Sequence, residues 1–274
     1  MTMAELKIGF LGCGSMGECI MAGMLKAEMV KPENTFICNR TASTNERLVS
    51  VYKVRNMSAP ELVEKSDIIM LGVKPYGIVP VLETIKGQIT PSKLIISMAA
   101  GVPIATIENH CPPQTKVIRV MPNVPVFVGE GVTSISGNSA VTRDDETVMV
   151  KLFGAIGKAF VVPESAIHGV IGVAGSSPAY VFMFMEALSD GAVRGGIPRG
   201  QSYEMAAQAV LGAAKMLQES GKTPGALKDM VCSPGGTTIE AVRFLEKGGM
   251  RSSIIEAMVQ CMEKSKEFER IYSE

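Results

Sequence analysis

Residues 7–23 read "KIGFLGCGSMGECIMAG", and this stretch decides the fold. Ile8 to Leu11 make a short apolar run closing on glycine, the mark of a buried parallel strand. Gly12, Gly14 and Gly17 follow with G-x-G-x-x-G spacing and lead into a helix expected over about 16–29. Each glycine has its own task there: a tight turn, close approach of backbone to a pyrophosphate, and tight helix–strand packing. The helix N-terminus adds unsatisfied N–H groups and a partial positive charge. Gly12, Cys13, Gly14, Ser15, Met16 and Gly17 are therefore expected to cradle a dinucleotide.

Working outward, the first half alternates strands and helices. "TFIC" (35–38), "SDIIMLGV" (66–73), "KLIISMA" (93–99) and "KVIRVM" (116–121) read as further strands. Helix-compatible segments such as "APELVEKS" and "YGIVPVLETIKG" separate them. Strand–helix–strand order at this spacing predicts an α/β Rossmann domain, a doubly wound and mostly parallel sheet. "GVTSIS" and "KAFVVP" are expected at its edge, flanking the helical "RDDETVMVKLFGAIG". After Pro163 only helical patterns remain, so the reading is a Rossmann domain at 1–163 followed by an all-α domain at 164–274. "SPAYVFMFMEALSDGAVRGG" (177–196) is apolar around nearly its whole circumference. A helix of that kind needs cover on every side, which predicts a homodimer formed through these C-terminal helices.

The bulk properties narrow the function classes. Formal net charge is zero, which argues against nucleic acid or an anionic membrane as main partner. The six cysteines show no C-x-x-C pair and read as reduced thiols of a cytoplasmic protein. The start, "MTMAELKIGFLGCG", is polar and then strand-like, unlike a signal peptide, and no apolar run is seen approaching a membrane span. No spacing suggests a metal site.

Four strand ends point at the cofactor crevice. The second strand ends in Asn39, Arg40 and Thr41, with no carboxylate for a ribose 2′-OH and a guanidinium where a 2′-phosphate needs neutralising. That favours NADP(H), with NAD(H) as the second candidate. Gly72, Val73, Lys74 and Pro75 follow the third strand, Met98, Ala99 and Ala100 the fourth, and Asn123 stands between prolines after the fifth. All are expected to line the groove at the carboxyl ends of parallel strands.

Proton chemistry is sparse. His110 reads as a surface residue and His168 as a satisfied structural one. No lysine occurs between Lys158 and Lys215, which counts against the catalytic plan of β-hydroxyacid dehydrogenases. Reduction of an iminium that arrives already protonated fits, because the cofactor carries the hard chemistry.

A second glycine turn, "CSPGGTTIEAVRF" (232–244), opens another helix pattern. Gly235 and Gly236 are expected to expose backbone N–H groups at a helix start and, with the hydroxyls of Ser233, Thr237 and Thr238, to make a neutral pocket suited to one carboxylate. An ordinary capped helix start is the alternative. The surrounding "PGALKDMVCSPGGTTIEAVRFLE" (224–246) resembles the signature of Δ1-pyrroline-5-carboxylate reductases. "GCGSMG", "VKP", "AAGV", "MPNVP" and "SPAYVFMFMEAL" recur in that family's order, so the resemblance covers nearly the whole chain.

The resemblance implies NAD(P)H-dependent reduction of pyrroline-5-carboxylate to L-proline, the last step of proline biosynthesis. It also implies a helical dimerisation domain, with dimers assembling into rings such as decamers. Thr238 would hydrogen-bond the ring nitrogen as hydride reaches the ring carbon. Three departures stand out: Ser177 replaces a family glycine, Val124 a threonine, and Ala59 an asparagine near the adenosine ribose. A reductase of a six-membered cyclic imino acid, or an NADP(H) sensor without turnover, remains open at this level.

Overall fold

The computed structural model describes residues 5–272; the polar start at Met1–Ala4 lies outside them. Its sheet has eight strands: β1 Ile8–Leu11, β2 Thr35–Cys38, β3 Arg55–Asn56, β4 Ile68–Leu71, β5 Leu94–Ser97, β6 Lys116–Met121, β7 Gly131–Gly137 and β8 Gly157–Val161. Their spatial order is β3-β2-β1-β4-β5-β6-β7-β8. The first six run parallel; β7 is antiparallel to β6, and β8 is parallel to β7. Sequence reading missed β3, a two-residue strand whose Arg-Asn pair carries no apolar signal.

The helices between them are α1 Ser15–Lys26, α2 Ala42–Tyr52, α3 Ala59–Lys65, α4 Ile78–Ile85, α5 Ile104–Asn109 and α6 Arg143–Gly154. α1 ends before the expected residue 29, because Glu28 takes a left-handed φ of 57°. Side chains alternate across the sheet, so each strand feeds two cores. Ile8 and Phe10 meet Ile20, Met21 and Met24 of α1 on one face. Leu11, Ile69 and Leu71 meet α3 and α4 on the other, through Leu62, Ile78 and Leu82. With both faces covered, β1, β4 and β5 are buried at every residue, which explains their continuous apolar runs.

The remaining helices are α7 Ile167–Val170, running into a π-helical turn at Ile171–Gly175, then α8 Ser177–Arg194, α9 Arg199–Ser220, α10 Pro224–Val231, α11 Thr237–Lys247 and α12 Met250–Tyr272. The chain forms two compact units. One runs to Gly175 and takes in Cys261 onward; the other is Ser176–Gln260. Composition changes at 163/164 whereas packing divides at 175/176. The difference comes from residues such as Glu164, whose carboxylate accepts from Ile104 N–H at 2.8 Å and from buried Arg119 at 2.9 Å. The last turns of α12 join the same unit: Thr106 donates to the Tyr272 carbonyl at 2.8 Å, and the Tyr272 ring packs on the core.

In the second unit α8 and α9 pack around a small polar centre. Ser189 and Ser202 Oγ lie 2.5 Å apart, and Arg199 donates to Ser189 at 2.8 Å. Little else in this unit is buried, and Phe182 and Met183 are 64% and 69% exposed. Glu164–Arg194 is long and apolar enough to cross a membrane by length and composition, which corrects the expectation that no run approaches that limit. Short 3-10, α and π turns over Glu164–Gly175 precede the 18-residue α8 within it, and Glu186, Asp190 and Arg194 interrupt its apolar run.

Candidate dinucleotide site and second glycine turn

The strand order reverses at β1, which lies between β2 and β4; ligands of open α/β sheets sit at the carboxyl ends beside such a point. Leu11 is paired with Cys38 on one side and Leu71 on the other. The chain then turns through Gly12, whose φ of +82° suits glycine. Gly12 N–H donates to Cys38 O, and Gly72 N–H to Leu11 O, both at 2.9 Å. A Cβ on Gly72 would overlap the Gly12 carbonyl, and one on Gly12 would lie 2.7 Å from Val73 Cγ1. A Cβ on Gly14 would meet nothing within 4 Å. Backbone is thus packed tightly behind the turn and open in front of it.

A groove of about 630 Å³ lies at these strand ends. Of the expected contacts, Gly12, Cys13, Gly14, Asn39, Arg40, Thr41, Gly72, Val73 and Lys74 line it. Ser15, Met16 and Gly17 form the first turn of α1, whose N-cap, Gly14, provides no side-chain cap. The N–H groups at this helix start are left for an anion. α2 starts similarly at Thr41, whose hydroxyl makes no cap bond, with exposed Arg40 just before it. Arg40 forms no ion pair among the described residues. Two helix N-termini and a guanidinium thus border one groove, a donor set that fits a phosphorylated dinucleotide.

Other expected contacts fall elsewhere. Pro75 opens a short 3-10 turn, and Met98 and Ala99 pack into the two cores. Ala100 is exposed and outside the groove lining. Asn123 is 7% exposed; it accepts from Val132 N–H at 2.8 Å and donates to Ala174 O at 2.9 Å. Its amide ties the loop after β6 to neighbouring backbone. Thr44, Tyr76 and Pro80 also line the groove. Tyr76 was within reach of sequence reading, because it follows Pro75 directly at a strand end. Ala59, where the resemblance expects asparagine, lines the groove as well.

Charge around the first turn is balanced locally. Glu18, in the first turn of α1, is held by Arg47 through two bonds of 2.7 and 2.6 Å and by Tyr52 Oη at 3.1 Å. The Arg47 guanidinium keeps the Glu18 carboxyl below its ordinary range, against the effect of partial burial. Burial, with Glu18 nearby, pushes the Cys13 thiol up to about 12, so this cysteine is neutral packing.

The histidines lie outside the groove lining. His110 pairs with Glu83 at 2.9 Å on the surface, while His168 meets Ser265 Oγ at 2.9 Å and lies 3.5 Å from Glu269. Among the described residues no cluster suits a metal ion.

The second glycine turn belongs to the helical unit. Gly235 takes φ of +67°, and Gly236 is the N-cap of α11 without a side-chain cap bond. Contrary to expectation, the Gly236 N–H is engaged, donating to Ser233 O at 3.0 Å to close the turn. Helix geometry leaves the N–H groups of Thr237 and Thr238 without intrahelical acceptors. Thr238 is half-buried, whereas Ser233 and Thr237 are exposed.

Residues 164–268 match the family profile described as pyrroline-5-carboxylate reductase dimerisation, and residues 7–101 that of NADP oxidoreductase coenzyme F420-dependent. The chain is 46% identical over 267 residues to pyrroline-5-carboxylate reductase of Escherichia coli K12, covering 97% of this chain and 99% of that protein. It is 42% identical to the enzyme of Methanosarcina acetivorans, over 97% of this chain and 98% of that one. A Plasmodium falciparum pyrroline carboxylate reductase, solved with NADP bound, superposes with TM-score 0.85 at 32% identity, over 97% of this chain and 99% of that one. The chain belongs to the pyrroline-5-carboxylate reductase family.

Proposed function

We propose that this protein reduces the C=N bond of 1-pyrroline-5-carboxylate to give L-proline, using NADPH in preference to NADH. The observation that carries the reading is the pair of glycine turns. Each opens a helix whose N-cap has no side-chain cap, in a chain of this family. When bound, the nicotinamide cofactor supplies the hydride.

The chain's own residues bind and orient. Gly14 and the N–H groups of Ser15, Met16 and Gly17 receive the pyrophosphate, and Arg40, Thr41 and the start of α2 receive the 2′-phosphate. Val73, Lys74 and Pro75 form the adjoining wall; Met98, Ala99 and Ala100 hold the next strand end in place, and Asn123 fixes the loop after β6. Ser233, Gly235, Gly236, Thr237 and Thr238 hold the substrate carboxylate, with Gly236 shaping the turn and the threonines donating. The Thr238 hydroxyl oxygen accepts from the ring N–H as the imine carbon gains two electrons. The imine arrives protonated, so no side-chain acid is required.

The helical half, 164–274, is the substrate-binding and dimerising part. Its exposed apolar residues, Phe182 and Met183 among them, are the surface a second copy covers, and this also accounts for the apolar Glu164–Arg194 stretch. Dimers assemble further into a ring such as a decamer, and the protein works in the cytoplasm as the last enzyme of proline biosynthesis. The test is to follow NADPH absorbance with pyrroline-5-carboxylate, in parallel with NADH and with the six-membered cyclic homologue. Fast oxidation of NADPH with the five-membered ring supports the reading. Equal or faster turnover of the larger ring replaces the substrate assignment.

A further inference from the structure

The end of β2 is held in an unusual way. On its outer side the β3 ladder finishes with Met57 N–H donating to Ile37 O at 3.1 Å. Two residues on, a side chain takes over the ladder position. Asn45 Oδ1 accepts from Asn39 N–H at 3.0 Å, and Asn45 Nδ2 donates to Asn39 O at 3.1 Å. The amide of Asn45 thus pairs with Asn39 backbone as a neighbouring strand would, from a position in α2 that is 8% exposed.

This pairing fixes a second amide. The Asn39 backbone N–H requires an acceptor, which sets the orientation of Asn45. Asn45 Oδ1 also accepts from Asn39 Nδ2 at 2.8 Å, so the Asn39 nitrogen faces outward and its Oδ1 faces the glycine turn. There it accepts from Cys13 N–H at 2.6 Å. The Asn39 side chain is therefore engaged with protein on both ends, although it borders the groove. Arg40 and Thr41 continue directly from this clamped residue.

We infer that Asn45 is a positioning residue that sets the spacing between two phosphate subsites, the glycine turn and the start of α2, and thereby selects the phosphorylated dinucleotide. The inference rests on the proposed NADPH binding. Asn45 does not line the groove; it acts through Asn39. Without it, Asn39 loses the partner that holds its Oδ1 toward Cys13 N–H, and the Arg40–Thr41 arm loses its backbone clamp. NADPH contacts both subsites and NADH only the first, so the two cofactors should respond unequally.

The experiment measures NADPH and NADH affinity of the full-length protein by cofactor fluorescence, for wild type, N45A and N45D. Amide exchange at Cys13 is followed without cofactor. N45A should weaken NADPH about tenfold and NADH about threefold, and speed Cys13 exchange. N39A should speed that exchange as much, and N39A/N45A no more than N39A alone. N45D keeps the acceptor but cannot donate to Asn39 O, so it should shift NADPH in the same direction by less, and it carries the test if N45A does not fold. An N45A protein with NADPH affinity within twofold of wild type, or an equal loss for both cofactors, overturns the inference while leaving the function intact. A wild type that binds no NADPH overturns both.

Discussion

Arg119 Nη1, on β6, lies 2.7 Å from Glu269 Oε2, which is 150 residues further along the chain in α12. The same nitrogen is 2.9 Å from Glu164 Oε1. The arginine side chain is 2% exposed, while the two carboxylates retain 32% and 26%. Removing a partner from such a group has unequal consequences on its two sides. In R119M both carboxylates can turn toward water, so the loss should be about 1–2 kcal/mol. E164Q/E269Q leaves a guanidinium buried without a counter-charge and should lose about 3–5 kcal/mol. Urea unfolding at one fixed protein concentration compares them, and the reverse order would contradict the account.

Arg40 is exposed and without an ion pair among the described residues, so its removal disturbs little of the apoprotein. R40A should raise the NADPH KM by about 10–100-fold, the effect of one lost charge-assisted bond set. The NADH KM should stay within about twofold, since the 2′-phosphate is the only group that differs. Steady-state kinetics with both cofactors decides it, and a parallel loss for both would move the 2′-phosphate away from α2.

Thr238 is proposed to meet the ring nitrogen. T238A should lower kcat with pyrroline-5-carboxylate by about 100-fold, with NADPH affinity unchanged, and T238S should restore most of it. A T238A enzyme with normal kcat and a raised substrate KM would make the residue part of the carboxylate pocket alone.

The Cys13 thiol, held up to about 12 chiefly by burial, should be almost wholly neutral at pH 8. Its thiolate fraction there is about one part in ten thousand. N-ethylmaleimide at that pH should leave Cys13 unmodified in a peptide map of the native protein. A pH–rate profile between 6 and 9 should carry no inflection from it, since the proton leaves only well above that window.

Much of the dinucleotide site is legible from sequence because its determinants are local. Gly12, Gly14 and Gly17 sit within one turn, and the absence of a carboxylate after β2 can be read from Asn39-Arg40-Thr41 directly. What stays hidden depends on long-range pairing. Arg119 looks like an interruption in an apolar strand until Glu164 and Glu269 are brought to it. Asn45 looks like any polar helix residue until its amide is seen to extend the β2 ladder. Asn123 shows the converse. A polar residue between prolines at a strand end suggests a ligand contact, yet its amide is engaged with Val132 and Ala174. Gly236 is a similar case: the pattern G-G suggests a free N–H, and the turn that engages it with Ser233 O is not visible in the sequence.

The central claim is that one glycine turn serves the cofactor and the other the substrate carboxylate. The most direct measurement compares NADPH oxidation with pyrroline-5-carboxylate and with 1-pyrroline, the same ring without the carboxylate. The account predicts rapid oxidation with the acid, L-proline as product, and a kcat/KM for 1-pyrroline lower by at least about 100-fold. Comparable rates with the two rings, or NADPH binding without oxidation by either, would contradict it.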